Sequence, residues 1–354
     1  MSQIAVLVAA YNAERWLSQC LDSLLGQTLH EVEILCIDDC STDGTAAIID
    51  DYARRDSRVK ALRTEHNSGQ AIARNLALES VTAPYVCMVD ADDWLSPDAL
   101  ASAVDVFSHY PATDCVVFRL IKAYADDVST GCREAQHPES SETVRTEDYG
   151  LPEPLAHDGV LSGLEAARLS LDGFRLHGLY VTRTELHRRY PFDTATRLYS
   201  DDNATHLHYL HSREVRACSG NYFYRQHPSL TQAFNPLHFA MLEANLSLRR
   251  TLLREGVPND ILRTYESHRW LNFVILYRTL LKHRDELSAD LLDDLTRRFT
   301  ATLATFSHST LPLRACWKPG YWLFPRLATF DLQQRAYLQY KLRHDPAYID
   351  ACLA

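Results

Sequence analysis

The most constraining feature of the sequence is a short apolar run that passes directly into three acids. Residues 85–89 read Tyr-Val-Cys-Met-Val, and Asp90, Asp92 and Asp93 follow with only Ala91 among them. A continuous apolar run of this length predicts a strand that is buried on both faces. Carboxylates this close repel one another unless a cation lies between them, and Mg²⁺ takes one or two carboxylates together with phosphate oxygens. The stretch therefore predicts a metal–diphosphate site at Asp90 and Asp92.

A structural interpretation of the same acids stands beside this one. In it, residues 93–98 only cap a helix that begins near Pro97, and Ser96 followed by Pro97 is a typical helix start. That interpretation accounts for Ser96 but leaves the acid triplet without a reason.

The first half of the chain alternates between strand-like and helix-like segments. Strand composition occurs at residues 4–10, 32–37, 58–62, 85–89 and 114–121, and helical spacing at residues 14–25, 45–53, 70–79 and 97–110. This alternation predicts an α/β fold with a mostly parallel central sheet and helices on both faces. Polar residues follow the strands, and in such a sheet ligands bind at the edge where the strands end.

Several classes of protein are excluded by what the sequence lacks. No G-x-G-x-x-G follows the first strand and no G-x-x-x-x-G-K-[ST] occurs, which argues against a dinucleotide site and a P-loop. The net charge of -10 disfavours nonspecific nucleic-acid binding. The nine cysteines form no C-x-x-C pair, so buried thiols are favoured over zinc, redox or disulfide chemistry.

Four motifs, taken in order, resemble the family-2 glycosyltransferases. They are Val6-Leu7-Val8-Ala9-Ala10-Tyr11-Asn12, Ile37-Asp38-Asp39-Cys40-Ser41-Thr42-Asp43-Gly44-Thr45, Asn67-Ser68-Gly69 with Ala73-Arg74-Asn75, and Asp90-Ala91-Asp92-Asp93. The resemblance implies the GT-A fold and inverting sugar transfer. It covers about the first 110 residues, weakens after Ile121 and returns from Leu179 to Ser229. Cys40 and Ala77 depart from the residues common in the family, which affects loop shape only.

The resemblance also implies roles for the matching residues. Ala10, Tyr11 and Asp39 would bind the nucleotide, with Asp39 accepting from the imide N–H of uracil. Arg74 would be the cation near the nucleotide. Asp90, Ala91 and Asp92 match the D-x-D of the family, with Asp92 as the direct ligand of Mn²⁺ or Mg²⁺ and Asp90 on the ribose or a metal-bound water. The structural alternatives are a packed turn aromatic for Tyr11 and a solvated surface cation for Arg74.

An inverting transfer needs a general base that faces the leaving diphosphate across the donor. Asp201 and Asp202 precede a predicted helix at residues 204–211, and an aromatic strand at residues 221–227 follows. The spacing to Arg225 matches the family for Asp202 as the base, with Asp201 orienting the site. A slip of one residue would exchange the two, and helix capping alone is the structural alternative.

The predicted organisation is a GT-A catalytic domain at residues 1–235 and an α-helical C-terminal domain at residues 236–354. The first has a nucleotide-sugar half at residues 1–120 and a lid and acceptor half at residues 121–235, whose polar residues 126–154 predict a long connection. Residues 236–354 hold 16 Lys and Arg against 12 Asp and Glu. With the aromatic and basic residues 317–326, this predicts contact with an anionic membrane, packing on the catalytic domain or a homodimer face.

The predicted function is metal-dependent transfer of a sugar from a nucleotide sugar, favoured as a UDP-sugar, to a hydroxyl. The resemblance implies a glycan or lipid-linked acceptor, such as lipopolysaccharide, capsule or exopolysaccharide. No signal peptide or apolar run of about 20 residues is found, which predicts a cytoplasmic protein, acting at the inner face of the membrane. The alternatives are a noncatalytic sugar-nucleotide-binding module and a sugar-1-phosphate nucleotidyltransferase, whose Gly-rich first loop is absent after Ala10.

Overall fold

The computed structural model describes residues 2–124, 134–136, 143–196, 198–226, 234–306, 330–332 and 334–337. The chain divides into two compact units. The first comprises Met1–Ser170 and Phe174–His227, and the second comprises Leu171–Gly173 and Pro228–Ala354. Residues 317–326, for which membrane contact was predicted, lie outside the described residues.

The first unit is an α/β structure built on one mixed sheet. Its strands are β1 (Ile4–Ala10), β2 (Val32–Asp38), β3 (Val59–Arg63), β4 (Tyr85–Met88), β5 (Trp94–Leu95), β6 (Thr113–Tyr124), β7 (Glu134–Gln136), β8 (Thr143–Asp148), β9 (Leu161–Ser162), β10 (Tyr180–Arg183) and β11 (Glu214–Gln226). Its helices are α1 (Leu17–Leu25), α2 (Thr45–Arg55), α3 (Gln70–Glu79), α4 (Ala99–His109), α5 (Gly163–Leu171), α6 (Thr184–Arg189) and α7 (Ser200–Leu210), with a 3-10 turn at Leu155–His157.

The strand order along the sheet is β3-β2-β1-β4-β10-β6-β11-β5. Strands β3, β2, β1 and β4 are parallel, as are β6 and β11, while β10 runs antiparallel to both β4 and β6. The predicted α/β fold with a mostly parallel centre is therefore confirmed. Because β1, β2 and β4 are parallel, their carboxyl ends meet at one edge of the sheet.

Both faces of β1 are buried, which explains its continuous apolar sequence. Ile4, Val6 and Val8 face a core shared with α1 and α4, whereas Ala5 and Leu7 face a core shared with α3. Since successive side chains of a strand point to opposite faces, one apolar strand holds helices on both sides.

The predicted long connection at residues 126–154 is partly a strand. β8 pairs antiparallel with β6, with Ile121 opposite Asp148 and Tyr124 opposite Arg145. The polar composition of β8 was misleading, because a strand that extends a sheet edge needs backbone partners rather than apolar side chains. Residues 125–133 and 137–142 lie outside the described residues.

The described part of the second unit is helical. It contains a 3-10 turn at Pro236–Ala240, α8 (Met241–Arg254), α9 (Asn259–Lys282), a 3-10 turn at Arg284–Glu286 and α10 (Ala289–Leu303). An aromatic and aliphatic core joins them, including Phe239, Phe273, Phe299 and Phe330. Glu266 and Arg269 are fully buried and pair with each other at 2.6 Å, and Arg249 also donates to Glu266 at 2.7 Å.

Candidate functional site

The loops that follow β1 and β2 are joined by backbone and side-chain hydrogen bonds. The amide of Asp39 donates to the carbonyl of Ala10 at 2.8 Å, which places Tyr11 and Asp39 on neighbouring loops. Asn12 has a φ of 50° and accepts from the amide of Thr42 at 2.9 Å. Ala10 is buried, whereas the Tyr11 ring is 47% exposed. A packed turn aromatic is therefore the wrong description of Tyr11, whose ring is open to a ligand.

Asp39 is buried and its carboxylate holds the loop that precedes α3. Its Oδ1 accepts from the Thr64 hydroxyl at 2.7 Å and the Ser68 amide at 2.9 Å. Its Oδ2 accepts from the amide of Gly69 at 2.7 Å, and Gly69 has a φ of +90°, which glycine adopts without strain. Each carboxylate oxygen has two lone pairs, so with respect to the described residues only Oδ2 keeps a free acceptor position.

Arg74 lies on α3 and is fully buried. One terminal nitrogen of its guanidinium donates to Oδ1 of Asp90, and the other lies 3.7 Å from Oδ2 of Asp201. The guanidinium also lies 5.4 Å from the centre of the Phe192 ring. The alternative of a solvated surface cation is therefore wrong. Arg74 is the centre on which acids from two distant parts of the chain meet.

The acids after β4 form a dense group of like charges. Burial raises the pKa of Asp90 to about 6. Repulsion by Asp92 and Asp201 adds to this rise, and Arg74 offsets only part of it. Burial and the neighbouring Asp90 and Asp92 likewise raise the pKa of Asp93. The raised pKa values reflect burial first and repulsion between the acids second, and a bound cation would relieve the repulsion.

Asp93 differs from the other acids because its carboxylate is an internal anchor. It is 1% exposed and accepts from the Tyr222 hydroxyl at 2.9 Å and from the amide of Arg225 at 2.8 Å. The Tyr222 oxygen in turn accepts from the amide of Asp90 at 3.1 Å. The third acid of the motif thus fixes the turn on which Asp90 and Asp92 lie.

Arg225 reinforces this turn from its other side. Its Nε donates to the carbonyl of Asp92 at 2.8 Å, and a terminal nitrogen donates to Gln19. The guanidinium is stacked between two indole rings, 4.1 Å from the centre of Trp16 and 4.6 Å from that of Trp94. Stacked and hydrogen-bonded in this way, an arginine holds a fixed position.

Asp201 and Asp202 occupy the first turn of α7, as predicted, although the helix begins earlier, at Ser200. Burial, and then the charge of Asp201, raise the pKa of Asp202. A helix N-terminus alone would lower it. Tyr199, which precedes the helix in the left-handed conformation, has its pKa raised to about 12 by burial and by the two carboxylates. For both groups burial is the largest cause of the raised pKa, and the neighbouring carboxylates add to it.

Asn75 ties α3 to the segment that leads into α7. Its side-chain amide donates to the carbonyl of Phe192 at 2.9 Å and accepts from the Phe192 amide at 3.0 Å. This paired contact holds the Phe192 ring against Arg74. Asn75 therefore positions Phe192 beside Arg74.

The structure brings Arg74, Asp90, Asp92 and Asp201 into one group, with Asp202 beside it. Asp39 is linked to the same group through α3. It accepts from the amide of Gly69, the residue that precedes the helix, and Arg74 lies five residues after Gly69, about 7 Å farther along the helix axis. Sequence reasoning missed the anchors Asp93, Tyr222 and Arg225 and the contact of Asn75. The predicted aromatic strand at residues 221–227 was the available signal for Tyr222 and Arg225, but only the tertiary structure shows that they contact the acid turn.

Removing the hydroxyl of Tyr222 is expected to loosen the acid turn. Tyr222→Phe leaves the Asp90 amide without its acceptor and Asp93 without one donor, both in buried surroundings. Such losses cost about 1–3 kcal/mol. Thermal unfolding should show the loss, and Tyr110→Phe, which changes a ring that is 47% exposed, should leave the melting temperature unchanged. An unaltered melting temperature in Tyr222→Phe would contradict the assigned anchor role.

The first part of the chain is similar in sequence to known glycosyltransferases. The family model described as "Glycosyl transferase family 2" matches residues 5–156. The putative glycosyltransferase EpsH of Bacillus subtilis is 37% identical over 95 residues, which is 27% of this chain and 27% of that protein. The putative teichuronic acid biosynthesis glycosyltransferase TuaG of the same organism is 37% identical over 102 residues, 29% of this chain and 40% of that protein. The matches therefore span less than half the length of these relatives.

Solved structures resemble the chain over most of its length. Residues 1–349 of TarS from S. aureus in complex with UDP-GlcNAc give a TM-score of 0.67 at 18% identity, covering 97% of this chain and 92% of that one. The mannosyltransferase PcManGT from Pyrobaculum calidifontis, in complex with GDP-Man and Mn²⁺, gives 0.51 at 17% identity, covering 96% and 86%. At these identities the likeness establishes the fold. Residues 5–156, which are less than half of the chain, match glycosyl transferase family 2, and the fold of the chain is GT-A.

Proposed function

We propose that this protein is a metal-dependent inverting glycosyltransferase that uses a UDP-sugar. It would transfer the sugar to a hydroxyl of a glycan or lipid-linked glycan, such as lipopolysaccharide, capsule or exopolysaccharide. The observation that carries the proposal is the convergence of Asp90 and Asp201 on the buried guanidinium of Arg74. The family match and the fold shared with a UDP-GlcNAc complex support the choice of donor.

The acids after β4 suit a divalent cation. Within the described residues, no group of three or more His, Cys, Asp and Glu side chains is arranged to hold a metal ion. A site for Mg²⁺ or Mn²⁺ of this class needs only one or two carboxylates, because phosphate oxygens and water complete it. Asp92 would be the direct ligand, and Asp90 would bind through water or hold the ribose. The cation supplies neutralisation of charge on the leaving diphosphate.

The nucleotide site is proposed for the loops after β1 and β2. The exposed Tyr11 ring offers a stacking surface for a planar base. The free acceptor position on Oδ2 of Asp39 would take the imide N–H of uracil. Oδ1 of Asp39 already accepts two hydrogen bonds, so the imide N–H would approach Oδ2. A contact restricted to one oxygen suits selection of one base over others.

Asp202 is the proposed general base. In the transfer, the acceptor oxygen forms a bond to the anomeric carbon, the bond to the diphosphate breaks, and the proton passes to the Asp202 carboxylate. The raised pKa of Asp202 makes its carboxylate a stronger base than an exposed aspartate. Asp201, 3.7 Å from Arg74, would hold the first turn of α7 in place for this role.

Calorimetry with UDP, with and without Mn²⁺, tests the proposal. The protein should bind UDP more tightly with Mn²⁺, and Asp92→Asn should remove most of that gain while leaving metal-free binding unchanged. UDP release from UDP-sugars, with candidate acceptors, would then establish transfer. Metal-dependent UDP binding without turnover of any acceptor would favour the noncatalytic binding module, and no UDP binding at all would end the proposal.

The pH dependence of transfer should report Asp202. Its pKa is raised, so the active carboxylate form is lost as the pH falls through a value above the usual range for aspartate. Asp201→Asn removes the neighbouring charge, and the acidic limb of the kcat/KM profile should therefore move to lower pH. A limb that stays in place in Asp201→Asn would show that another group controls it.

The expected place of action is the cytoplasm, at the inner face of the membrane where a lipid-linked acceptor would be met. In the part of the chain that the structure describes, no helix is long and apolar enough to cross a bilayer. Peripheral contact with the membrane remains a prediction, and so does the formation of a homodimer.

A further inference from the structure

One face of the sheet beyond the acid turn carries exposed aromatic rings and cations. We name it the aromatic–cation face and define it by Lys122, Tyr124, Arg145, Tyr149 and Tyr224. Strand register brings its members together, because Tyr224 pairs with Lys122 between β11 and β6, and Arg145 pairs with Tyr124 between β8 and β6. Paired residues of adjacent strands project from the same side of a sheet.

The cations on this face are held over aromatic rings. The ammonium of Lys122 lies 5.1 Å from the centre of the Tyr149 ring, and the guanidinium of Arg145 lies 5.0 Å from that of Tyr124. Tyr149 is 45% exposed and Tyr224 is 40% exposed. Glu147 opposes Lys122 across the strands and accepts from the Tyr124 hydroxyl at 2.9 Å. The face thus combines open rings with two cations and one carboxylate.

Tyr224 connects this face to the catalytic acids. It lies two residues beyond Tyr222, on the same side of β11 and about 7 Å farther along the strand. Tyr222 itself donates to Asp93. Burial and the charges of Asp93, Asp90, Asp92 and Asp201 raise the pKa of Tyr224 to about 12. Tyr224 is therefore paired with Lys122 on one side and is two residues from the tyrosine that contacts Asp93.

We propose that the aromatic–cation face binds the acceptor and that this acceptor is an anionic glycan. Its sugar rings would stack on Tyr224 and Tyr149, and its phosphate or carboxylate groups would pair with Lys122. The inference rests on the proposed function, since it assigns the acceptor side of that same site.

The chemistry of the face favours this ligand over a neutral one. The negative face of a tyrosine ring attracts the polarised C–H groups of a sugar ring. An anionic polymer that approaches Asp90, Asp92 and Asp201 is repelled unless cations lie along its path, and the chain as a whole carries a net charge of -10. Lys122 provides a positive charge on this path, and an ammonium suits phosphate and carboxylate alike.

Binding of three probes of equal length tests the inference: oligo(glycerol phosphate), oligogalacturonate and a neutral malto-oligosaccharide. Each is titrated by calorimetry into the full chain saturated with UDP and Mn²⁺. Both anionic probes should bind about tenfold more tightly than the neutral one. Lys122→Gln should remove that preference. Tyr224→Ala should weaken all three about three- to tenfold, while Tyr224→Phe, which keeps the ring, should bind as the wild type does.

The matched control uses a second tyrosine with a cation over its ring. Tyr110 is 47% exposed, and the guanidinium of Arg216 lies 3.9 Å from its ring centre. Tyr110→Ala should leave all three affinities unchanged, and an equal loss there would overturn the inference. Tighter or equal binding of the neutral probe, or no probe binding while UDP still binds, would overturn it as well. Failure to bind UDP would instead refute the proposed function, and this inference with it.

Discussion

Asp202→Asn is expected to lower the rate of sugar transfer about 10²- to 10⁴-fold, the usual contribution of a general base. Asparagine matches the size of aspartate but cannot take a proton from the acceptor hydroxyl. UDP affinity should stay unchanged, because the proposed nucleotide contacts are made by Tyr11 and Asp39 on other loops. Initial rates of UDP release and calorimetric UDP binding, measured on the same preparation, check both parts.

Asp201→Asn is the matched control for this experiment. The two residues are adjacent in the first turn of α7. Asp201 lies within ion-pair distance of Arg74, and no such contact of Asp202 is found among the described residues. We expect Asp201→Asn to reduce transfer less than Asp202→Asn does. The opposite order would show that the spacing to Arg225 was misjudged by one residue and that Asp201 is the base. Normal transfer by Asp202→Asn would remove it from the mechanism.

Arg74→Met is expected to destabilise the protein by about 3 kcal/mol, because it removes the buried cation between Asp90 and Asp201 and leaves two acids to repel each other. We take the lower end of the range for a broken buried pair, since the Asp90 side chain is 31% exposed. For a unit of this size the melting temperature should fall by roughly 6–12 °C. Thermal unfolding with and without UDP measures the change.

Two further variants separate charge from packing at this position. The double variant Arg74→Met/Asp90→Asn should recover part of the lost stability, because one of the repelling carboxylates is gone. Arg54→Met removes an exposed cation paired with Asp51 and should change the melting temperature little. If the double variant were no more stable than Arg74→Met, loss of packing against Phe192 would explain the effect instead of charge.

Apolar pattern predicted two elements with their observed bounds, the fully buried strand β1 and the helix α3. Strands β6 and β11 extend beyond their predicted bounds through polar residues, as at Arg216 and Lys122. Their pairing is decided by neighbouring strands, so half-exposed strand residues carry no pattern that a single chain reveals.

The residues of the candidate site likewise divide into those that could be predicted from the sequence and those whose contacts only the tertiary structure shows. The acid motif could be identified because three acids directly follow a buried apolar run, and Asp39 because its motif resembles one of the family-2 glycosyltransferases. The sequence could not show that Asp93 points inward to Tyr222, or that Asp39 spends three acceptor positions on its own loops. Both facts depend on segments far apart in the chain. The spacing of apolar residues indicates which face of an element is buried, but it does not indicate which distant residue contacts that face.

The sequence by itself determined the order of strands and helices, the edge at which polar residues collect and the acids available there. Only the tertiary structure decided that Arg74 is buried between Asp90 and Asp201, and that Tyr224, Lys122 and Tyr149 share one face. The reason is physical. Periodicity arises from burial within one element, whereas a charge pair or a shared surface depends on the register between elements, which no single segment encodes.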